Sequence, residues 1–145
     1  MIDVQFAVSV EGVPEESVIR QWVLRALPND KKDSELTIRV VDEAEITALN
    51  RQYRGKEGAT NVLSFPYDAI PGMASELLGD VVICAPVVAS ESVVQNKPLD
   101  AHWAHIVIHG VLHLLGYDHH QDDEAHKMEA RETELLDSLG YANPY

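Results

Sequence analysis

Seventeen residues from Leu99 to Leu115, LDAHWAHIVIHGVLHLL, carry apolar side chains on nearly every face of a helix. Trp103, Ile106, Val107, Ile108, Val111, Leu112, Leu114 and Leu115 leave no wide polar stripe, so this helix is buried rather than lying on the surface. Gly116 stands where a C-terminal cap is expected. The polar exceptions are His102, His105, His109 and His113, which fall within a stripe roughly 80° wide at about 100° per residue. A row of imidazoles on a buried helix must face a cleft, a partner or a metal ion.

The rest of the chain supplies the surroundings. Its 145 residues, 46% of them hydrophobic, suit one domain with a single core. VQFAVSV alternates, placing Val4, Phe6, Val8 and Val10 on one face of a half-buried strand. Pro14, with Glu15 and Glu16 behind it, opens a helix with Val18, Trp22 and Ala26 on one side. ELTIRVV is a second strand. Asp42 followed by Glu45 has the form of a capping box, starting a helix whose apolar stripe is Ile46, Leu49 and Tyr53. A glycine-punctuated loop, RGKEGA, precedes TNVLSFP, a short strand stopped by Pro66. YDAIPGMASELL reads as irregular, and GDVVICA as a strand apolar enough to lie inside a sheet. Pro86 starts a helix to about Gln95, and the last helix runs from about Asp122 to Leu139, with Gly140 as its stop. The tally, four strands and about five helices in mixed order, implies an α+β domain of α/β-like character: one four-stranded sheet covered by helices. Strand order is not legible in this pattern.

His109 and His113 are spaced i, i+4, which stacks their side chains on one helix face. That spacing offers two imidazole nitrogens to one tetrahedral ion. Alone it is a weak signature, since such pairs are commonly ordinary helix residues. Gly116 changes the reading, because it lets the following YDHH turn back and bring His119 or His120 to the same point. Spacing does not choose between them. Three histidines with a fourth position left to water describe a catalytic zinc site rather than a closed structural one. Water on such an ion reaches a pKa of about 7 and supplies hydroxide at neutral pH. His102 and His105 read as hydrogen-bonded polar residues along the cleft, and His126, on the acidic last helix, as solvated. Asp118 is placed either to accept a hydrogen bond from a ligand imidazole or to cap the turn. The lone cysteine, Cys84, excludes an intrachain disulfide and a cysteine-based zinc site.

Charge is unevenly distributed. The net charge of -13 argues against unaided, nonspecific adhesion to nucleic acid. Yet Arg51, Arg54 and Lys56 cluster within RQYRGK, whereas Asp118 to Asp137 carries eight acidic residues and two basic ones. A solvated acidic helix face and a chance basic cluster would explain both. The position directly after the first metal-spaced histidine is Gly110, where a peptidase of the H-E-x-x-H type carries its glutamate base. Arg54 is the better candidate to assist, by binding an anionic group and stabilising charge on a phosphoryl oxygen. The N-terminus lacks the basic start and apolar run of a signal peptide, and no stretch approaches the roughly 20 apolar residues of a membrane span. The expectation is a soluble cytoplasmic protein.

HGVLHLLGYDH resembles the H-G-x-L-H-L-x-G-Y-D-H signature of the YbeY family, bacterial endoribonucleases and rRNA maturation factors. The segments LNRQYRGKEGATNVLSFPYD, LLGDVVICAPVV, KPLDAHWAHIVIHG, DDEAHKMEARETELLDSLG and YANPY are similar to the family in the same order, covering about residues 36 to 145. The resemblance implies that His109, His113 and His119 are the metal ligands for one Zn²⁺ per chain, and that Arg54 lines the cleft as a catalytic residue. It implies a zincin-like fold with a mixed four-stranded sheet and the metal helix below it. Residues 1–145 then form a single metal-dependent hydrolase domain. The implied activity is a single-strand-specific, zinc-dependent endoribonuclease in 16S rRNA 3′-end maturation and ribosome quality control. Implied partners are single-stranded rRNA, the small ribosomal subunit and its proteins, and, as a candidate, a ribosome-associated GTPase, with no membrane.

Two other readings compete. In one, the chain is a non-catalytic ribosome assembly factor with a structural zinc, its acidic face docking on basic ribosomal proteins. In the other it is a small metalloprotease, which fits the histidine spacing but not Gly110.

Overall fold

The computed structural model describes residues 1–9, 11–67 and 77–145. The element order is β1 (Ile2–Phe6), α1 (Glu16–Ala26), β2 (Glu35–Val41), α2 (Glu43–Arg54), β3 (Val62–Pro66), β4 (Leu77–Cys84), α3 (Ala85–Val94), α4 (Leu99–Leu114) and α5 (Asp122–Ser138). A 3₁₀ turn at Asn29–Lys31 joins α1 to β2. The strands form one sheet in the order β1-β2-β4-β3. β1, β2 and β4 run parallel and β3 antiparallel, so the sheet is mixed. β4 is interior, as its apolar half VVIC requires, and β3 is an edge strand.

Register fixes what each face buries. Val4, Ile38, Val81 and Ser64 form one row across the sheet, and the period of two places Leu36, Val40 and Ile83 on the same face. There they join Trp22, Trp103, Ile108, Leu112, Met128 and Leu136 in the main core, under α1, α4 and α5. The opposite face carries a smaller cluster of Val41, Ile46, Leu63, Val82 and Cys84 beneath α2. Helices therefore cover both sides of the sheet, and α4 is the buried one. No described helix is long and apolar enough to cross a membrane.

Three expectations shift. The first strand spans Ile2–Phe6 rather than residues 4 to 10. Its pairing ends when Ala7 N–H donates to Val40 O at 2.8 Å, because β2 ends one residue later. Val8 remains half-buried, while Val10 lies outside the described residues. β4 starts at Leu77, inside the stretch expected to be irregular; residues 68–76 of that stretch lie outside the described residues. In α2, Tyr53 is 61% exposed and Asn50 takes the buried position, its amide donating to Gly58 O at 3.0 Å. At the last turn of α2 the Tyr53 ring packs edge-on against Phe65 of the edge strand β3.

The start of α2 forms half of a capping box. The Asp42 carboxylate accepts from Glu45 N–H at 2.9 Å. Glu45 does not reach back; its carboxylate instead takes two bonds from the Arg39 guanidinium, at 2.6 and 3.0 Å. Asp42→Ala should therefore cost about 1 kcal/mol, the usual value of a lost N-cap. Thermal unfolding would register this as a fall of about 2–4 °C.

Candidate metal centre

The last two turns of α4 present His109 and His113 on one face, and their Nε2 atoms lie 3.1 Å apart. Two imidazoles bound to one tetrahedral zinc at about 2.0–2.1 Å would hold their nitrogens about 3.3 Å apart, so this pair fits such an ion. Just past the helix, Gly116 takes a φ of 100° that side chains rarely adopt. Gly116 N–H donates to His113 O at 3.1 Å and Tyr117 N–H to Leu112 O at 3.0 Å, which reverses the chain. The Asp118 carboxylate then accepts from the backbone N–H of His119 at 2.7 Å. The result places the His119 ring 5.0 Å from His113 and 5.8 Å from His109.

One nitrogen from each of His109, His113 and His119 lies within 4.8 Å of the others, a group able to hold a metal ion. His120 lines the same cleft but is not part of this group; its side chain is 80% exposed and sits 3.4 Å from Asp118. Burial, with His109 and His119 close by, lowers the His113 pKa to about 4, so at neutral pH this imidazole is neutral, the form that binds a metal.

Arg54, the last residue of α2, lines the same cleft as these histidines. The cleft measures about 730 Å³, and Ser64, Thr60 and Asn61 contribute polar groups to its wall. Arg54 is exposed and forms no ion pair with any described residue. Its guanidinium is thus free for an anion. Arg51 and Lys56 are exposed too, but do not line the cleft.

His102 and His105 are hydrogen-bonded, as expected, but not along the cleft. His102 Nε2 meets Glu91 Oε1 at 3.0 Å, and the same carboxylate accepts from the Asn61 amide at 3.1 and 3.3 Å. His105 Nε2 meets Glu132 Oε2 at 2.8 Å. His126 is exposed.

Glu132 is the residue that sequence reasoning missed. It belongs to the acidic stretch expected to be solvated, yet it is fully buried. Its Oε1 lies 2.6 Å from His109 Nδ1, and the Tyr145 hydroxyl donates to Oε2. Burial by itself would raise the Glu132 pKa; the hydrogen bonds from His105 and His109 outweigh it and hold the carboxyl down to about 2. The signal was available in periodicity: Met128, Glu132, Leu135 and Leu136 share one face of α5, and the other three are apolar. Asp118, expected either to meet a ligand imidazole or to cap the turn, does the second.

A sequence-family model described as Endoribonuclease YbeY matches residues 5–140. Among solved structures, the solution structure of TM1509 from Thermotoga maritima is similar, with a TM-score of 0.64 and 26% identity over 96% of this chain and 89% of that one.

Proposed function

The chain belongs to the YbeY endoribonuclease family, and on that premise we propose that it is a single-strand-specific, zinc-dependent endoribonuclease acting in 16S rRNA 3′-end maturation and ribosome quality control. In this reading residues 1–145 are a single metal-dependent hydrolase domain working in the cytoplasm. His109, His113 and His119 hold one Zn²⁺, and Arg54 is the catalytic arginine. The observation that carries it is the meeting of three imidazoles with an unpaired arginine in one cleft.

A zinc ion with three histidine ligands and an open position supplies Lewis acidity and an acidified water. The chain's own groups do the rest. Arg54 takes a non-bridging phosphate oxygen in a charge-assisted hydrogen bond, fixing the scissile group and stabilising the charge that builds on it. His109, His113 and His119 present neutral nitrogens to the ion, so no ligand atom itself carries a negative charge. The test is cleavage of single-stranded rRNA by purified protein carrying stoichiometric zinc. A 2′,3′-cyclic phosphate on the product would indicate attack by the substrate's own 2′-hydroxyl; its absence would indicate attack by water.

Arg54→Ala should lower cleavage by about tenfold to a hundredfold, the equivalent of one charge-assisted hydrogen bond of about 1.5–3 kcal/mol. Its melting temperature should stay within about 2 °C of wild type, since the side chain is exposed and unpaired. A collapse of the melting temperature would reject the assignment.

One observation favours a second reading. Asp122, Asp123 and Glu124 stand exposed at the start of α5, an acidic surface suited to basic ribosomal proteins. A non-catalytic assembly factor docking on the small subunit, alone or with a ribosome-associated GTPase, would use that face. Metal-ligand variants that keep ribosome association while losing rRNA processing would support catalysis over docking alone.

A further inference from the structure

Among the described residues Glu132 is the one fully buried acidic side chain, and its described hydrogen-bonding partners are two imidazoles and a phenol. No described lysine or arginine pairs with it. A carboxylate removed from water is costly unless a counter-charge or a metal compensates it. Here the compensation is one imidazole away. His109 turns Nδ1 to Glu132 Oε1 at 2.6 Å and Nε2 to His113 Nε2 at 3.1 Å. A carboxylate accepting at Nδ1 keeps the proton there, which leaves the Nε2 lone pair pointing into the three-histidine group. The same contact pins the ring plane.

We propose that Glu132 is the positioning residue of the metal centre: it fixes the tautomer and orientation of His109 and supplies the buried negative charge that balances the ion through the imidazole. This rests on the reading of His109 as a ligand. It also assigns a purpose to the C-terminal part of the chain. The Glu132 side chain reaches from α5 to α4, and Tyr145, at the end of the chain, closes over its other oxygen. His105, His109 and Glu132 also form a close donor group of their own. Because His109 belongs to both groups, and its two nitrogens face different ways, the second group serves as the backing of the first.

The test is zinc affinity by competition with a chromogenic chelator, alongside thermal unfolding of the zinc-free protein, for wild type, Glu132→Gln and Glu132→Leu. Glu132→Gln keeps the volume and an oxygen that can accept from Nδ1 but removes the charge. It should bind zinc about tenfold more weakly while its zinc-free form unfolds within a few degrees of wild type. Glu132→Leu, which also removes the acceptor, should lose about a hundredfold, the upper range for groups that orient metal ligands. If Glu132→Leu does not fold, Glu132→Gln decides. Wild-type zinc affinity in Glu132→Gln, with or without a lowered unfolding temperature, would make Glu132 a structural tie between helices and overturn the proposal. Should the wild-type protein itself take up no zinc, the metal-centre reading falls and this inference with it.

Discussion

His113→Ala should abolish stoichiometric zinc uptake and reduce rRNA cleavage about a thousandfold or more. The size follows from the role proposed for the ion. Lewis-acid stabilisation of a phosphoryl transition state is worth several kcal/mol, and about 4 kcal/mol corresponds to a thousandfold in rate. His113 is the sharper choice over His109, whose removal would also strip Glu132 of a partner. His120→Ala is the matched control: its ring is largely exposed and outside the three-histidine group, so zinc content and rate should remain those of wild type.

The same residue leaves a mark on the metal-free protein. The folded-state pKa of His113 lies at about 4, below the ordinary histidine value of 6.5, so the unfolded chain binds the proton more readily. Its contribution is fully present above pH 6.5 and is lost as pH falls toward 4. Melting temperatures of chelator-treated wild type and His113→Ala should therefore show a steeper acid limb in wild type. Parallel curves, together with unchanged cleavage in His113→Ala, would remove His113 from the site.

Gly110→Glu should destabilise the fold by more than about 4 kcal/mol, combining overpacking with a buried, partnerless carboxylate. At this position α4 packs tightly on the sheet. A Cβ there would lie 2.5 Å from Val81 Cγ1 and 3.3 Å from Val62 Cγ2. Val81 is fully buried on the interior strand and cannot retreat. Ser64 Oγ donates to Gly110 O at 3.0 Å, tying the helix backbone to the edge strand. Even Gly110→Ala should cost about 1–3 kcal/mol. For the glutamate variant the fall in melting temperature should exceed about 10 °C, or no soluble protein should be recovered. A stable Gly110→Glu variant would mean that α4 stands further from β4 than described. The glutamate base of an H-E-x-x-H peptidase is thus excluded from this position by packing, besides being absent from the sequence. A casein assay with and without chelator should show no proteolysis.

Local periodicity was enough for much of this. The buried character of α4, its histidine stripe, the turn after Gly116 and the extent of β2 all depend on neighbours within a few residues, and all are legible in the sequence. The edges of β1 and β4 were not, because a strand ends where its partner ends, and partners are distant in sequence. Tyr53 was misplaced for a related reason. A helical stripe says which side faces inward, not whether an inner strand or an edge lies beneath the last turn.

The candidate site divides along the same line. The sequence by itself determined the pair His109 and His113, since four residues of helix fix that spacing whatever surrounds it, and it placed Arg54 at a helix end beside a glycine. Only the tertiary structure decided that Arg54 shares a cleft with those histidines, that Gly110 is pressed against Val81, and that one glutamate of an acidic helix backs His109 from inside the core. Each of those depends on how separate elements pack, and packing is a sum over the whole chain that no short window contains.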